Sequence, residues 1–199
     1  MVFRIVGILL LVLAAISVRC QTYQLKAGYT RATIDSYAGY FGDDTGTKMF
    51  GSISGFYFTL SKDIALAPWV ALQPGIGYSK EGFAADGHNH VLHYVQMPVY
   101  FNFRVRRIGG ILFGPQVNAL IRAPQIEQGF NSSKSDFPAY SIVNVSAVVA
   151  PYVRITDRLA LELRASFGLN PIIIRSLSVA DWYQFALHGG LAFNFGRRE

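Results

Sequence analysis

Between residues 23 and 196 apolar and polar residues alternate with a period of two, in eight stretches broken by polar connections. That period marks β-strands with one apolar and one polar face. It predicts strands over Tyr23–Thr33, Met49–Leu60, Ile64–Ser79, Val91–Arg104, Gly110–Ala123, Ala139–Ile155, Leu159–Asn170 and Trp182–Gly196. The seventh is the clearest: Leu159, Leu161, Leu163, Ala165, Phe167 and Leu169 oppose Glu162, Arg164, Ser166 and Asn170. In the fourth, Val95, Met97, Val99, Phe101 and Phe103 oppose Tyr94, Gln96, Tyr100, Asn102 and Arg104.

The connections alternate in length. Asp35–Lys48, Lys80–His90, Pro124–Pro138 and Pro171–Asp181 are long, whereas Ser61-Lys62-Asp63, Arg106-Arg107-Ile108-Gly109 and Thr156-Asp157-Arg158 are short. Transmembrane barrels sort their connections this way, with short periplasmic turns and longer outer loops. Only helices and closed barrels cross a bilayer, and no apolar run beyond the N-terminus approaches the ~18 residues of a spanning helix. The expected fold is therefore all-β: an eight-stranded antiparallel up-and-down transmembrane β-barrel over residues 21–199, with both termini at the periplasmic end.

Residues 1–20 read as a cleavable signal peptide. Arg4 supplies the positive start, Ile5–Ile16 an apolar stretch too short to span, and Val18 and Cys20 the small residues before a cleavage at Gln21. Arg19 directly before Cys20 disfavours lipidation there. Cleavage removes the only cysteine, so no disulfide or thiol chemistry is expected of the mature chain.

Composition fits this picture. Hydrophobic residues make up 51% of the chain and charged ones only 15%, against roughly 25% charged in soluble domains. High apolar content without a long apolar run is what dispersed period-2 strands produce. The formal net charge of +6 is too modest and scattered to suggest nucleic acid. Basic residues gather at the short turns (Lys62, Arg106, Arg107, Arg158, Arg197, Arg198) and acids in the long loops. Pro68, Pro74, Pro98, Pro115 and Pro151 run against the pattern. Proline lacks a ladder donor and a closed barrel has no edge, so each is expected to mark a bulge or a rim.

Several short motifs carry a resemblance. Leu25-Lys26-Ala27-Gly28-Tyr29-Thr30, Leu72-Gln73-Pro74-Gly75-Ile76-Gly77-Tyr78-Ser79, Tyr94-Val95-Gln96-Met97-Pro98-Val99, Phe113-Gly114-Pro115 and Leu163–Leu169 occur in an order and spacing that resembles the PorT-type outer-membrane β-barrel family of the Bacteroidota. The resemblance covers essentially the whole mature chain. It implies an outer-membrane barrel, and a link to protein secretion through the family's founding member. Gly75 and Gln96 stand where that family often has acids, and Gly196–Glu199 extend past its usual aromatic end.

Candidate chemistry is sparse. An eight-stranded barrel encloses little more than its own side chains, so a diffusive pore is not expected. The inward faces would hold a structural lumen network centred on Glu162 with Arg104, Arg122, Arg154 and Arg164 and the amides Gln73, Gln96, Gln116, Asn102 and Asn118. Its functional alternative is a gated or proton-conducting path. Asp86-Gly87-His88-Asn89-His90, with His93 nearby, has metal-ligand residue types but no second half-site, and reads as a solvated loop. Gly-x-Ser-x-Gly is absent, and His188 falls on an inward face with no serine two residues on. No catalytic, cofactor or metal residue is assigned. The expected function is non-enzymatic, a binding or envelope-structural role through the loops or the periplasmic rim. The expected partners are outer-membrane lipid, the barrel-insertion machinery and other envelope proteins. A lipid-modifying enzyme and an exported lipocalin-like carrier of a small apolar ligand are the alternatives.

Overall fold

The computed structural model describes residues 21–37, 51–85, 88–105, 108–123, 125–126, 140–172 and 181–195. The expected signal peptide, residues 1–20, lies outside them. The strands are β1 (Gln21–Tyr37), β2 (Gly51–Ala67), β3 (Val70–Ala85), β4 (His88–Val105), β5 (Gly109–Arg122), the two-residue β6 (Gln125–Ile126), β7 (Val143–Arg154), β8 (Leu159–Gly168) and β9 (Asp181–Phe195). Apart from β6, each pairs antiparallel with its neighbours in the chain, and β9 closes onto β1 (Tyr23 opposite Phe195, Leu25 opposite Phe193). The product is a closed eight-stranded up-and-down barrel. The small β6 adds to the outer end of β4 at Asn89 and His90.

Closure is the solution the alternating sequence requires. A ring of strands leaves no row of unpaired backbone donors and acceptors, which in hydrocarbon would cost several kcal/mol each. No helix among the described residues is long and apolar enough to cross a membrane, so crossing falls to the strands.

Side-chain polarity is radial and inverted relative to a water-soluble barrel. On β8, Leu161, Leu163 and Phe167 are 54%, 60% and 47% exposed, whereas Glu162 and Arg164 are 2% and 0% exposed. The same alternation runs around the wall: Leu25, Phe58, Ile76, Phe101, Phe113, Leu191 and Phe193 face outward, and Lys26, Thr59, Gln73, Gln96, Asn102 and Gln116 face inward. A lipocalin-like carrier would have these faces exchanged. Near the short turns the outer wall carries aromatic pairs, Tyr23 stacked on Phe195 and Trp69 on Phe103, which form a girdle at the periplasmic interface.

Three expectations need correction. The first concerns the turn after β2. Ser61 and Asp63 are lumenal residues of β2, and the strand runs on to a turn at Pro68-Trp69. A polar run that continues an inward face had read as a loop. Likewise residues 80–85 and 88–90 are strand rather than loop, because β3 and β4 stay paired from Lys80 opposite His93 out to Ala85 opposite His88. The second correction concerns the prolines. Only Pro68 sits at a turn, and Pro74, Pro98, Pro115 and Pro151 lie within strands at which no register shift occurs.

Each of those four instead coincides with a gap in one ladder. The β2–β3 pairing lapses between Ser61/Gly75 and Ile64/Leu72, beside Pro74. That of β3–β4 lapses between Pro74/Val99 and Gly77/Gln96, beside Pro98. That of β4–β5 lapses between Pro98/Gln116 and Phe101/Phe113, beside Pro115, and that of β7–β8 between Val149/Ala165 and Tyr152/Glu162, beside Pro151. A missing donor thus costs a local interruption while the remaining ladder holds the register.

The third correction is Arg122. A register irregularity sets His93 opposite Arg122 but Tyr94 opposite Leu120, so β5 carries an extra residue at that point. Such a bulge re-aims the side chain beyond it, and Arg122 is exposed rather than lumenal.

The outward polarity is testable. Leu163→Arg is expected to destabilise the folded barrel by ~2–4 kcal/mol, the cost of a cation on the lipid face near the bilayer midplane. Denaturant titration of the barrel in lipid vesicles, read by heat-modifiable gel mobility, measures it, and Leu163→Ala is expected to cost much less.

Candidate functional site: the lumenal network

Most residues assigned to the lumen from the alternation are inside, but they form separate groups. At mid-barrel, Glu162 on β8 is held from two sides. The Lys26 ammonium on β1 donates to its Oε2 at 2.7 Å, and the Arg164 guanidinium donates to its Oε1 through Nη2 at 2.7 Å and Nε at 3.1 Å. All three side chains are at most 2% exposed. One carboxylate between two cations is the arrangement in which burial of an ion is tolerable, because each charge has both a counter-ion and hydrogen bonds. The excess positive charge lies over aromatic rings. The Arg164 guanidinium is 4.8 Å from the Tyr57 ring centre and 5.6 Å from that of Tyr100, and Lys26 Nζ is 5.9 Å from Tyr100.

Room for these bulky groups comes from small residues on the inward faces. A Cβ on Gly190 would lie 2.6 Å from the Tyr57 hydroxyl and 2.4 Å from the Ala27 carbonyl. Only glycine lets Tyr57 reach across β1 to β9 at this height.

From Lys26 the network runs to the periplasmic end. Lys26 also donates to Gln73 Oε1 at 2.8 Å; Gln73 Nε2 donates to Asp63 Oδ1 at 2.6 Å and Gln24 Oε1 at 3.1 Å; Gln24 Nε2 donates to Asn194 Oδ1 at 2.6 Å. Asp63 pairs with Arg104 at 3.0 Å. Arg104 therefore serves Asp63 rather than Glu162, and Arg154 lies half-buried near the same end beside Tyr152. A second group links the Tyr100 hydroxyl to Gln116, Gln116 to Asn118 at 2.7 Å and Asn118 to Ser146 at 3.1 Å. A third surrounds the buried Glu81, which accepts from Gln96 at 3.0 Å and from Gln184 at 2.5 Å, while Gln96 also donates to Ser79 at 2.8 Å. Above it, Ile34, Phe83, Leu92, Tyr94, Leu120, Ala123, Tyr140 and Ile172 close the outer part of the lumen with an apolar cluster.

Sequence reasoning missed Lys26, Asp63, Glu81 and the apolar cluster. Lys26 carried the right signal, a polar residue between outward Leu25 and Ala27. Asp63 and Glu81 were hidden by being read into connections, and the cluster breaks the polar face with Leu92, Leu120, Ile34 and Phe83.

The histidines of this segment lie on β4 rather than in a loop. His90 stacks on Phe83 with ring centres 4.6 Å apart and its Nδ1 lies 2.6 Å from the Tyr140 hydroxyl, whereas Nδ1 of His93 lies 2.5 Å from the Tyr78 hydroxyl on the other face of β4. Asp86, Gly87 and the His88 side chain lie outside the described residues. Among the described residues no group of three metal-ligating side chains converges.

A closed barrel with a lipid-facing apolar wall, a girdle and an ionic core defines an integral outer-membrane β-barrel protein of bacteria. The chain belongs to the family of outer membrane protein beta-barrel domains, whose model matches residues 21–173. No curated protein sequence matches it. Among solved structures it is similar in fold to Neisserial surface protein A, with 14% identity and a TM-score of 0.52 over 88% of this chain and 97% of that one. Lower on the scale are Ail, the attachment invasion locus protein of Yersinia pestis (12% identity, TM-score 0.49, 87% and 98% covered) and OprG of Pseudomonas aeruginosa (7%, 0.48, 89% and 97%).

Glu162→Gln leaves Lys26 and Arg164 buried without a counter-charge and is expected to cost about 3–5 kcal/mol. Adding Lys26→Met is expected to recover part of the loss, because one uncompensated cation then remains instead of two. Vesicle unfolding curves of the single and double variants read both effects.

Proposed function

We propose that this chain is a non-enzymatic outer-membrane barrel whose lumen is a structural plug, and that it acts through its outer loops or its periplasmic rim by binding envelope or surface partners. The observation that carries the reading is the Lys26–Glu162–Arg164 triad, which with Tyr57 and Tyr100 occupies the middle of the barrel. A passage for solutes would have to break ion pairs in a medium of low dielectric, which costs several kcal/mol. The non-enzymatic part is supported by His188, which is 1% exposed and packs edge-on against Tyr57 at 5.2 Å, away from lipid at the rim. The PorT-type motifs add protein secretion as the process in which such a partner would be sought.

One observation favours a second reading. Tyr57 Oη, Thr59 Oγ1, Arg164 Nη1 and both His188 ring nitrogens are buried without a protein hydrogen-bond partner. Such groups cost about 1–3 kcal/mol each unless water or an ion reaches them. A narrow water or proton path above the triad would use them.

Three experiments test the proposal. Planar-bilayer recordings of the purified protein are expected to show no steady, large conductance, and such a conductance would replace the plug with a pore. A pull-down from detergent-solubilised envelopes is expected to retain a specific envelope protein or surface ligand, and a lipid-turnover assay to show no product above background.

A further inference from the structure

On four strands, β1, β3, β4 and β5, the outward run ends in a basic residue at the outer border of the wall. On β4 the outward residues from the girdle are Phe103, Phe101, Val99, Met97 and Val95, and the next is His93. That is about ten residues, the length a tilted strand needs to cross the hydrocarbon. On β3 the run Val70, Leu72, Pro74, Ile76, Tyr78 ends at Lys80, and on β1 the run Tyr23, Leu25, Ala27, Tyr29 ends at Arg31. On β5 the bulge delivers Arg122 to the same level. Lys80 lies directly opposite His93 and His93 opposite Arg122, with both cations within Coulombic reach of the imidazole. Arg31, on the far side of β2, is fixed by its Nε donating to Ser52 Oγ at 2.7 Å.

The remaining strands end differently: β2, between β1 and β3, at Phe56 followed by the uncharged Ser54, β7 at Val143, β8 at Phe167 and β9 at Phe185 and Tyr183. Among the described side chains no carboxylate lies at this border, since Asp63, Glu81 and Glu162 are lumenal and Asp157 is in a turn at the opposite end. A row of basic side chains with no counter-charge among the described residues, set where hydrocarbon gives way to headgroups, is expensive unless something anionic covers it.

We infer that Arg31, Lys80, His93 and Arg122 form an exterior docking site for the phosphate groups of the outer-leaflet glycolipid, the lipid A part of lipopolysaccharide, with its acyl chains lying on the wall below. Charge complementarity selects an anion, and continuity with Ile76, Tyr78, Met97 and Ile121 selects one that carries hydrocarbon. Arg31, Arg122 and Lys80 provide phosphate donors, and the Tyr78 hydroxyl holds the His93 ring at the border between the two zones. The site is on the lipid-facing wall, separate from the loops and from the lumenal network.

Full-length barrel in detergent micelles, titrated with purified lipid A and read by native mass spectrometry, tests this. The double variant Lys80→Gln/Arg122→Gln is expected to bind about thirtyfold more weakly, equivalent to ~2 kcal/mol at ~1 kcal/mol per surface cation. Arg158→Gln at the periplasmic turns is expected to bind as the unaltered protein does. Dephosphorylated lipid A is expected to bind the unaltered protein as weakly as phosphorylated lipid A binds the variant. Equal binding by the double variant, or equal binding of the dephosphorylated lipid, would overturn the assignment. So would full displacement by glucosamine phosphate lacking acyl chains, which would make the row a general polyanion site. The dephosphorylated-lipid arm uses the unaltered protein and so stands even if the variant folds poorly.

Discussion

Hydrocarbon offers no hydrogen bonds, and most of this structure follows from that. Backbone groups must be paired by the chain itself, so the sheet closes on itself through β1 and β9. Side chains must then sort by face, apolar outward and polar inward. Once polar groups are enclosed they must satisfy one another, because the barrel is too narrow to fill with bulk water. The lumenal ion pairs are thus a consequence of the wall. Glu162 is tolerable at mid-barrel because Lys26 and Arg164 both reach it, and the two cations are tolerable because aromatic rings take up their excess charge.

The same logic explains what the barrel concedes. Four prolines each interrupt one ladder, and the interruption is borne because the pairings on either side fix the register. Glycines on the inward faces weaken the strands locally, but Gly190 gives Tyr57 the space it needs to cover Arg164. Around the lumen, polar groups concentrate at mid-height and toward the periplasmic end, whereas an apolar cluster closes the outer part. The lumen is thus lined by ion pairs and amides below and by an apolar cluster above, and the proposed recognition role falls to the surfaces outside it.

The wall was largely legible in the sequence. Period 2 assigns Leu161, Leu163 and Phe167 outward and Glu162 and Arg164 inward without any knowledge of packing, and the coordinates agree. The failures share a cause. Inward polar residues such as Ser61, Asp63 and Glu81 look like turn residues when hydrophilicity is read without its face, so strand ends were placed too early. Partner choice inside the lumen was not legible at all. Periodicity puts Lys26, Arg104 and Arg164 on the same side of the wall, but which of them meets Glu162 depends on stagger between distant strands. Arg122 was lost to a single bulge, which no local pattern announces.

The most direct test of the account is oxygen accessibility along β8. Single cysteines placed in turn at residues 160 to 167, in a background lacking Cys20, would carry spin labels in barrels refolded into lipid vesicles. The account predicts alternation, with collision rates for dissolved oxygen high at 161, 163, 165 and 167 and low at 160 and 166. Uniform rates, or the opposite phase, would contradict a lipid-facing apolar wall around a polar interior.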